Sequence, residues 1–480
     1  MIRAASSRSL NMKRIFTACL LLIAGTVSGQ QPLQIPAGKL KEDHEILITA
    51  LKELHPGIYR YQMPEQFAQL ETKIRNRLTK SMTAEAYYRL TMPLIAGLHC
   101  GHTKWHRKDR PDDRYPFQQD DLFPLQLYFR EGHAYVLRTY RETALLTPGT
   151  EITSINGKKI PDIIAQLRKY ITIDGAVRSA LYSELNQSFN GYYASFVETA
   201  PVYVIGYSRA GKNGKTQLAK VSMAEIRSVM ERYQQEPRPA MELTIPRPGT
   251  AVLRIDRFYP GEGDPDYYKF IDSAFLSIRE KGISKLIIDL RNNEGGVEEY
   301  GGYLYSYLAT GPFVYYKKIK VARNTESSIK KYAGFPPGYE QALALIREEN
   351  GEFIWPVQEY LAEKTPRLNA FAGKVMVLTN GFSFSVTAEF AAIAKTYNRA
   401  TFIGEETGGS YEGDNSGVFA IVNLPNSGLS VSIPLMAFYM NTSAAHPRSA
   451  GIQPDVKVVA KIADVIAGRD VVMEKALEKE

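Results

Sequence analysis

Two apolar runs, each ending in a turn of small and polar residues, constrain this chain more than any other feature. The first lies in Lys285 to Gly296, KLIIDLRNNEGG, and the second in Lys374 to Phe390, KVMVLTNGFSFSVTAEF. Leu286, Ile287, Ile288 and Leu290, and likewise Val375, Met376, Val377 and Leu378, are short unbroken apolar stretches, the pattern of strands buried on both faces. Such strands need helices to cover them, and the chain supplies these in alternation. A strand in TAVLRIDRF near Thr250 leads to a helix started by Asp264 and Pro265, with Phe270, Ile271, Ala274 and Ile278 on one face. A helix follows Gly296, another begins at about Ser385, and a strand spans Ala400 to Gly404. The alternation predicts an α/β core, and the strand-like runs Val418 to Leu424 and Leu429 to Tyr439 predict an added antiparallel part.

The turns carry the chemistry. Adjacent glycines, Gly295 and Gly296, let backbone N–H groups face outward without Cβ obstruction, and such groups can hold a developing oxyanion. Ser385 falls between a strand and an Ala-rich helical stretch (Ala388, Ala391, Ala392, Ala394), where the helix dipole favours an alkoxide. Val386, the next residue, offers a further N–H to the same oxyanion. Taken singly, a Gly-Gly turn is also an ordinary turn and a serine before a helix also an ordinary N-cap.

Four motifs occur in order: DLRxNxGG (Asp289, Leu290, Arg291, Asn293, Gly295, Gly296), FSxxxEF (Phe384, Ser385, Glu389, Phe390), IGExTGG (Ile403 to Gly409) and GIQPDV (Gly451 to Val456). In this the chain resembles the tail-specific, or C-terminal processing, serine peptidases, which include the tricorn core protease and the interphotoreceptor retinoid-binding proteins. The resemblance extends upstream through Gly101-His102-Thr103 and a PDZ-like segment. It implies a multidomain α+β protein with a ClpP/crotonase-like α/β protease core. It also implies a serine endopeptidase acting on peptides or unfolded proteins through an acyl-enzyme, with Ser385 as nucleophile. A non-catalytic binder of peptides or lipophilic ligands on the same fold is the alternative.

The expected organisation is a signal peptide over 1–29, an N-terminal helical domain over 30–112, a PDZ-like domain over 113–225 and a catalytic domain over 240–465. Leu47, Ala50, Leu51 and Leu54 form a helical stripe stopped by His55-Pro56-Gly57, and Phe67, Leu70, Ile74 and Leu78 form a second. A polar link from Lys108 to Asp121 follows. In Leu146 to Leu167, a strand with Ile152 and Ile155 turns at Asn156-Gly157 into a helix, as in a PDZ domain that walls a peptide groove. The hairpin Tyr203 to Val221 completes that domain or begins a linker, and the insert from about Gly311 to Asn369 is a lid or ordinary surface structure.

With 480 residues, 44% of them hydrophobic and 23% charged, the chain can bury large cores. Its net charge of +8 is spread among both signs, which gives no support to a nucleic-acid or anionic-membrane partner. Lys13 and Arg14, the apolar run Ile15 to Ala24 and the small residues Val27-Ser28-Gly29 read as a secretory signal, so export to the periplasm or beyond is expected. Met12 is an alternative start, and Cys19 lies early for a lipoprotein cysteine. No later stretch is long and apolar enough to span a bilayer. After cleavage Cys100 alone would remain, leaving no intrachain disulfide.

Ser385 needs a base. In the bacterial branch of the resembled family the base is a lysine beyond the nucleophile. Here the matching position in TGGS is Ser410, and no lysine occurs from Thr396 to Asp455. The tricorn-like branch uses an upstream histidine, which the motif match assigns to His102, with His99, His106 and His446 competing. A neutral imidazole in that role predicts a pH profile rising through roughly 6 to 7. The tricorn-like acid near GIQPDV has no match, since Arg448 or a neighbour stands there, and Glu405, Glu412 and Asp414 are the candidates for an orienting acid. A Cys100/His102 nucleophile pair is the competing arrangement, with a small buried thiol as its plain counterpart. No cofactor is expected, and no metal, since HExxH is absent and the histidines make no usual ligand cluster. The leader predicts a mature chain that begins near Gln30. N-terminal sequencing of protein from its native host reads this directly, and a chain retaining the apolar run would contradict it.

Overall fold

The computed structural model describes residues 33–107, 120–233, 238–443, 447 and 449–478. The leader, most of the polar link, His446 and Arg448 lie outside the described residues. From Gln34 on the chain forms one compact unit.

Its centre is a six-stranded sheet in the order Val456–Lys457, Thr401–Gly404, Lys374–Thr379, Lys285–Asp289, Thr250–Ile255, Met241–Arg247. All neighbours run parallel except the last pair, an antiparallel hairpin. Helices Tyr267–Glu280, Glu298–Ser306 and Val386–Thr396 cover the sheet and share a core with it. The apolar runs read from the sequence are its two central strands, and Leu286, Ile287, Ile288, Val377 and Leu378 are fully buried. Strand Lys285–Asp289 pairs in register with Lys374–Thr379, Asp289 opposite Leu378, so both turns leave the same end of the sheet side by side. One cap differs from expectation. Asp266, not Asp264, caps helix Tyr267–Glu280 by accepting the Lys269 N–H, while Asp264 accepts from Arg257 and the Gly261 N–H.

A second sheet is antiparallel. Asn415–Asn423 and Leu429–Met440 form its long hairpin, and Lys104–Arg107 pairs with the latter, Lys104 opposite Ser432. Strand Tyr316–Val321, in the insert from Gly311 to Asn369, pairs with Leu429–Met440 along the same edge as Lys104–Arg107, away from Asn415–Asn423, so that part of the insert is sheet. The third sheet runs Leu125–Arg130, His133–Thr139, Glu151–Ile155, Val202–Arg209, Lys212–Ala219. Within it Asn156-Gly157 turns with positive φ at both residues, 45° and 82°, into helix Ile160–Leu167, and the Tyr203–Val221 hairpin supplies the last two strands. Helix Arg178–Phe196, which no sequence signal singled out, packs against the first strand.

Helices Ala37–Leu54 and Pro64–Arg75 contain the two stripes except Leu78, which follows the second helix, and one hydrophobic core joins them and helix Ala84–Ala96 to the third sheet and to the long antiparallel hairpin. At the end of the first helix His55 is buried. The Gly57 N–H donates to its Nδ1 at 3.2 Å, which leaves the proton on Nε2 to donate to Thr103 Oγ1 at 3.1 Å. The helix stop is thereby tied to the residue after His102.

Burial, aided by the Arg60 charge, pushes the His55 pKa down to about 3. The folded state therefore keeps His55 neutral where an unfolded chain, with a pKa of about 6.5, takes up a proton. Its stabilising contribution is full above about pH 6.5 and is lost as the pH falls toward 3. Urea unfolding at pH 7 and pH 4.5 should show His55→Gln removing on the order of 2 kcal/mol of the parental pH dependence. Equal pH dependence in the two proteins would contradict this.

Candidate active site

The two turns are clamped together by their own side chains. The Asn292 N–H donates to Asn380 Oδ1 at 3.0 Å, and Asn380 Nδ2 donates back to Asn292 Oδ1 at 2.8 Å. Ser383 Oγ donates to the Leu290 carbonyl at 2.9 Å, and the Phe384 N–H to the Asn293 carbonyl at 3.0 Å. Held this way, Ser385 takes φ 56° and ψ −129°, a left-handed backbone that a non-glycine residue adopts only under constraint, at about 1–3 kcal/mol. Helix Val386–Thr396 begins at the next residue.

Gly295 lies directly against this serine. A Cβ on Gly295, whose φ is 94°, would come within 2.7 Å of Ser385 Cβ, and one on Gly296 within 2.2 Å of the Phe258 carbonyl oxygen. The donor role read for Gly295 needs correction, because its N–H is engaged by Asn293 Oδ1 at 2.9 Å. Asn293, fully buried and anchored by Nδ2 to the Ile255 carbonyl, makes Gly295 a spacer. Among the described residues the Gly296 and Val386 N–H groups have no acceptor, and both residues line a cavity of about 270 Å³ with Ser385, His102, Tyr259, Glu298 and Phe419.

His102 reaches this cavity from the antiparallel sheet, two residues before strand Lys104–Arg107. Its ring stacks on Phe384, centroids 4.5 Å apart and planes at 27°. A side chain on Gly101 would strike the same Phe384 ring at 2.7 Å. The Gly101 N–H donates to Asp174 Oδ1 at 2.7 Å, which fixes the loop from a third direction. Burial pushes the His102 pKa down to about 4, opposed by the charge of Asp414 and assisted by that of Lys104. Its Nδ1 is buried without a hydrogen-bond partner.

The other sequence candidates separate. Asp414 is 2% exposed; its Oδ1 accepts from Ser416 Oγ at 2.6 Å, and its Oδ2 is buried and unpartnered. Arg60 Nη1 donates to its carbonyl at 2.7 Å and, through Nη2, to those of Glu412 and Phe438. Glu412 is half-buried and does not line the cavity. Glu405 faces a different cavity of about 850 Å³ with Tyr128, Arg130 and Lys457. His99 does not line the Ser385 cavity, and His106 lies against Ser432 Oγ at 3.3 Å on the strand. Ser410, at the position of the bacterial lysine, is buried, bonded to the Tyr61 hydroxyl at 2.7 Å and donating to the Gly413 carbonyl at 2.6 Å. The Cys100 thiol is fully buried, and burial pushes its pKa up to about 12, away from a nucleophilic thiolate.

Three acids escaped the sequence reading as site groups. Glu389, one turn after Ser385, is buried and accepts from the Tyr316 hydroxyl at 2.7 Å. Burial and Asp414 hold its pKa well above the carboxylate range, so it stays neutral and adds no negative charge beneath Ser385. Glu298, on the cavity wall, is pushed up to about 7 by burial and by Glu299 and Asp414. Asp174 lies in a segment with no motif. A buried serine in a strained elbow, two free N–H groups and a neutral histidine around one cavity together have the components for acyl transfer.

No match is found among curated proteins. Among solved structures the chain is similar to mature CPAF, with a TM-score of 0.62 at 14% identity over 91% of this chain and 96% of that one. It is also similar to mature CPAF complexed with lactacystin, at TM-score 0.61 and 14% identity over 91% and 97%. At that identity the likeness speaks to the fold alone. Residues 249–458, which carry both turns, Ser385 and Asp414, match peptidase family S41. Through this segment the chain is similar to peptidase family S41, a family of serine-type peptidases.

Proposed function

We propose that this serine endopeptidase uses Ser385 as its nucleophile and His102 as its general base. The observation that carries the reading is the left-handed φ of Ser385, held against Gly295 on the wall of one cavity that His102 also lines. Ser385 Oγ attacks the scissile carbonyl carbon while a ring nitrogen of His102 takes its proton. The N–H groups of Gly296 and Val386 hold the oxyanion, the latter at the positive end of its helix. His102 then gives the proton to the leaving amine, and water releases the acyl group by the reverse sequence.

Asp414 is the acid in this reading. Its charge is the largest that favours protonated His102, so it stabilises the imidazolium as it forms. Phe384 holds the ring by stacking. Glu405 and Glu412 take no part. The segment from strand Glu151–Ile155 to helix Ile160–Leu167 serves as a PDZ-like groove for peptide or unfolded-protein substrates, behind a helical N-terminal domain. The chain is exported under the Lys13 to Gly29 leader, for which the mature N-terminus is the test. Among the described residues no helix is long and apolar enough to cross a membrane.

Ser385→Ala and His102→Ala should each fold, by circular dichroism, and lose on the order of 10⁴-fold in turnover of casein or a peptide library. The double variant should be little worse, since members of one catalytic unit are non-additive. The pH profile moves from the sequence expectation of 6 to 7. With His102 neutral down to about 4, the acid limb of kcat/KM should lie near 4. Any step near 7 belongs to Glu298, pushed up to about 7, and should vanish in Glu298→Gln. Near-parental turnover in His102→Ala, or a limb near 7 that persists in Glu298→Gln, would contradict the assignment.

A further inference from the structure

Three different ligand types converge behind the catalytic cavity. The Sγ of Cys100, a ring nitrogen of His102 and a carboxylate oxygen of Asp174 all lie within 4.8 Å of one another. Two of these side chains present atoms without partners. His102 Nδ1 and Asp174 Oδ2 are both buried and make no hydrogen bond, and Asp174 is only 1% exposed. Asp174 cannot swing away freely, because its other oxygen holds the Gly101 N–H between the two other residues. Cys100 contributes a fully buried sulfur, 3.6 Å from the Asn415 carbonyl oxygen. A buried polar atom left unpaired destabilises the fold, and its persistence calls for a ligand or a role.

We propose that Cys100, His102 and Asp174 form an inhibitory site for a zinc-like divalent transition metal, with water as the fourth ligand. The inhibition rests on the reading of His102 as the base. A sulfur, nitrogen and oxygen set suits zinc, whereas calcium and magnesium take oxygen ligands. Tetrahedral zinc places its ligand atoms roughly 3.5 Å apart, so side-chain rotation of about 1 Å closes the present spacing. The ion enters past His102, whose ring lines the Ser385 cavity. Binding exchanges two protons for the metal: M²⁺ replaces H⁺ on Sγ and displaces the proton that burial keeps on Asp174, and both protons leave to solvent. A neutral imidazole has one free electron pair. When a metal takes it, the other nitrogen carries the hydrogen, and no pair remains to accept the Ser385 proton. The enzyme is then off until the ion is removed.

Cobalt tests ligation without reference to activity. The metal-stripped chain titrated with Co²⁺ should bind one ion and show the near-ultraviolet thiolate-to-cobalt charge-transfer band, which should disappear in Cys100→Ser. Zn²⁺ should inhibit peptide hydrolysis reversibly, with EDTA restoring it. The inhibitory concentration should rise more than about tenfold in Cys100→Ser and in Asp174→Asn, each measured against its own metal-free rate. Absence of the cobalt band in the parental chain, or unchanged zinc sensitivity in Cys100→Ser, overturns the site. A cobalt band with turnover untouched by zinc overturns the inhibitory role and counts against His102 as base. If no band forms while His102→Ala remains inactive, the metal site alone fails.

Discussion

Everything at this site depends on the pairing of two neighbouring parallel strands. Lys285–Asp289 and Lys374–Thr379 run in register, so the chain must leave both at the same level. The reciprocal amide bonds of Asn292 and Asn380 then lock one turn to the other. Ser385 can hold a left-handed backbone only because the neighbouring turn has no side chain at Gly295. The strain at the serine and the glycine beside it are two sides of one constraint. The same constraint leaves the first residue of helix Val386–Thr396 on the cavity wall with Gly296, both with N–H groups that meet no acceptor among the described residues.

The second half of the site comes from elsewhere in the chain. Strand Lys104–Arg107 adds to the long antiparallel hairpin and carries His102 to the cavity, while the opposite strand of that hairpin starts just beyond Asp414. Electrostatics there is governed by burial. Asp174 and Glu389 are both raised above the carboxylate range, with Asp414 the largest charge contributing to each shift, and His55 and His102 are lowered. Protons are thus retained on Asp174 and Glu389 and withheld from both histidines, which limits the charge a dry site must hold.

The sequence was most legible where burial is continuous. The two apolar runs, the alternation around them and the late antiparallel pair follow from short-range pattern alone, and so does the turn at Asn156-Gly157. What escaped depends on partners distant in sequence. The Tyr- and Lys-rich insert becomes sheet only because Tyr316–Val321 finds Leu429–Met440. Glu389 looks like any helical glutamate until the Tyr316 hydroxyl is seen to meet it. Asp174 precedes a helix with no capping signal and matters through one bond to Gly101. The donor expected of Gly295 was lost to Asn293, a residue within the same motif whose side chain has no visible direction in sequence. Glu405 and Asp414 are equally plausible acids on paper, and folding sets Glu405 on the wall of a separate cavity while it buries Asp414 where its charge acts on His102.

The central claim is that Ser385 is a nucleophile made reactive by its surroundings. A fluorophosphonate probe reports this directly, since it forms a covalent bond only with an activated serine. After incubation with the mature protein and peptide mapping by mass spectrometry, the account predicts one phosphonyl adduct per chain, on Ser385, with labelling strongly slowed in His102→Ala. A folded chain that stays unlabelled, or an adduct on a different serine, would contradict it.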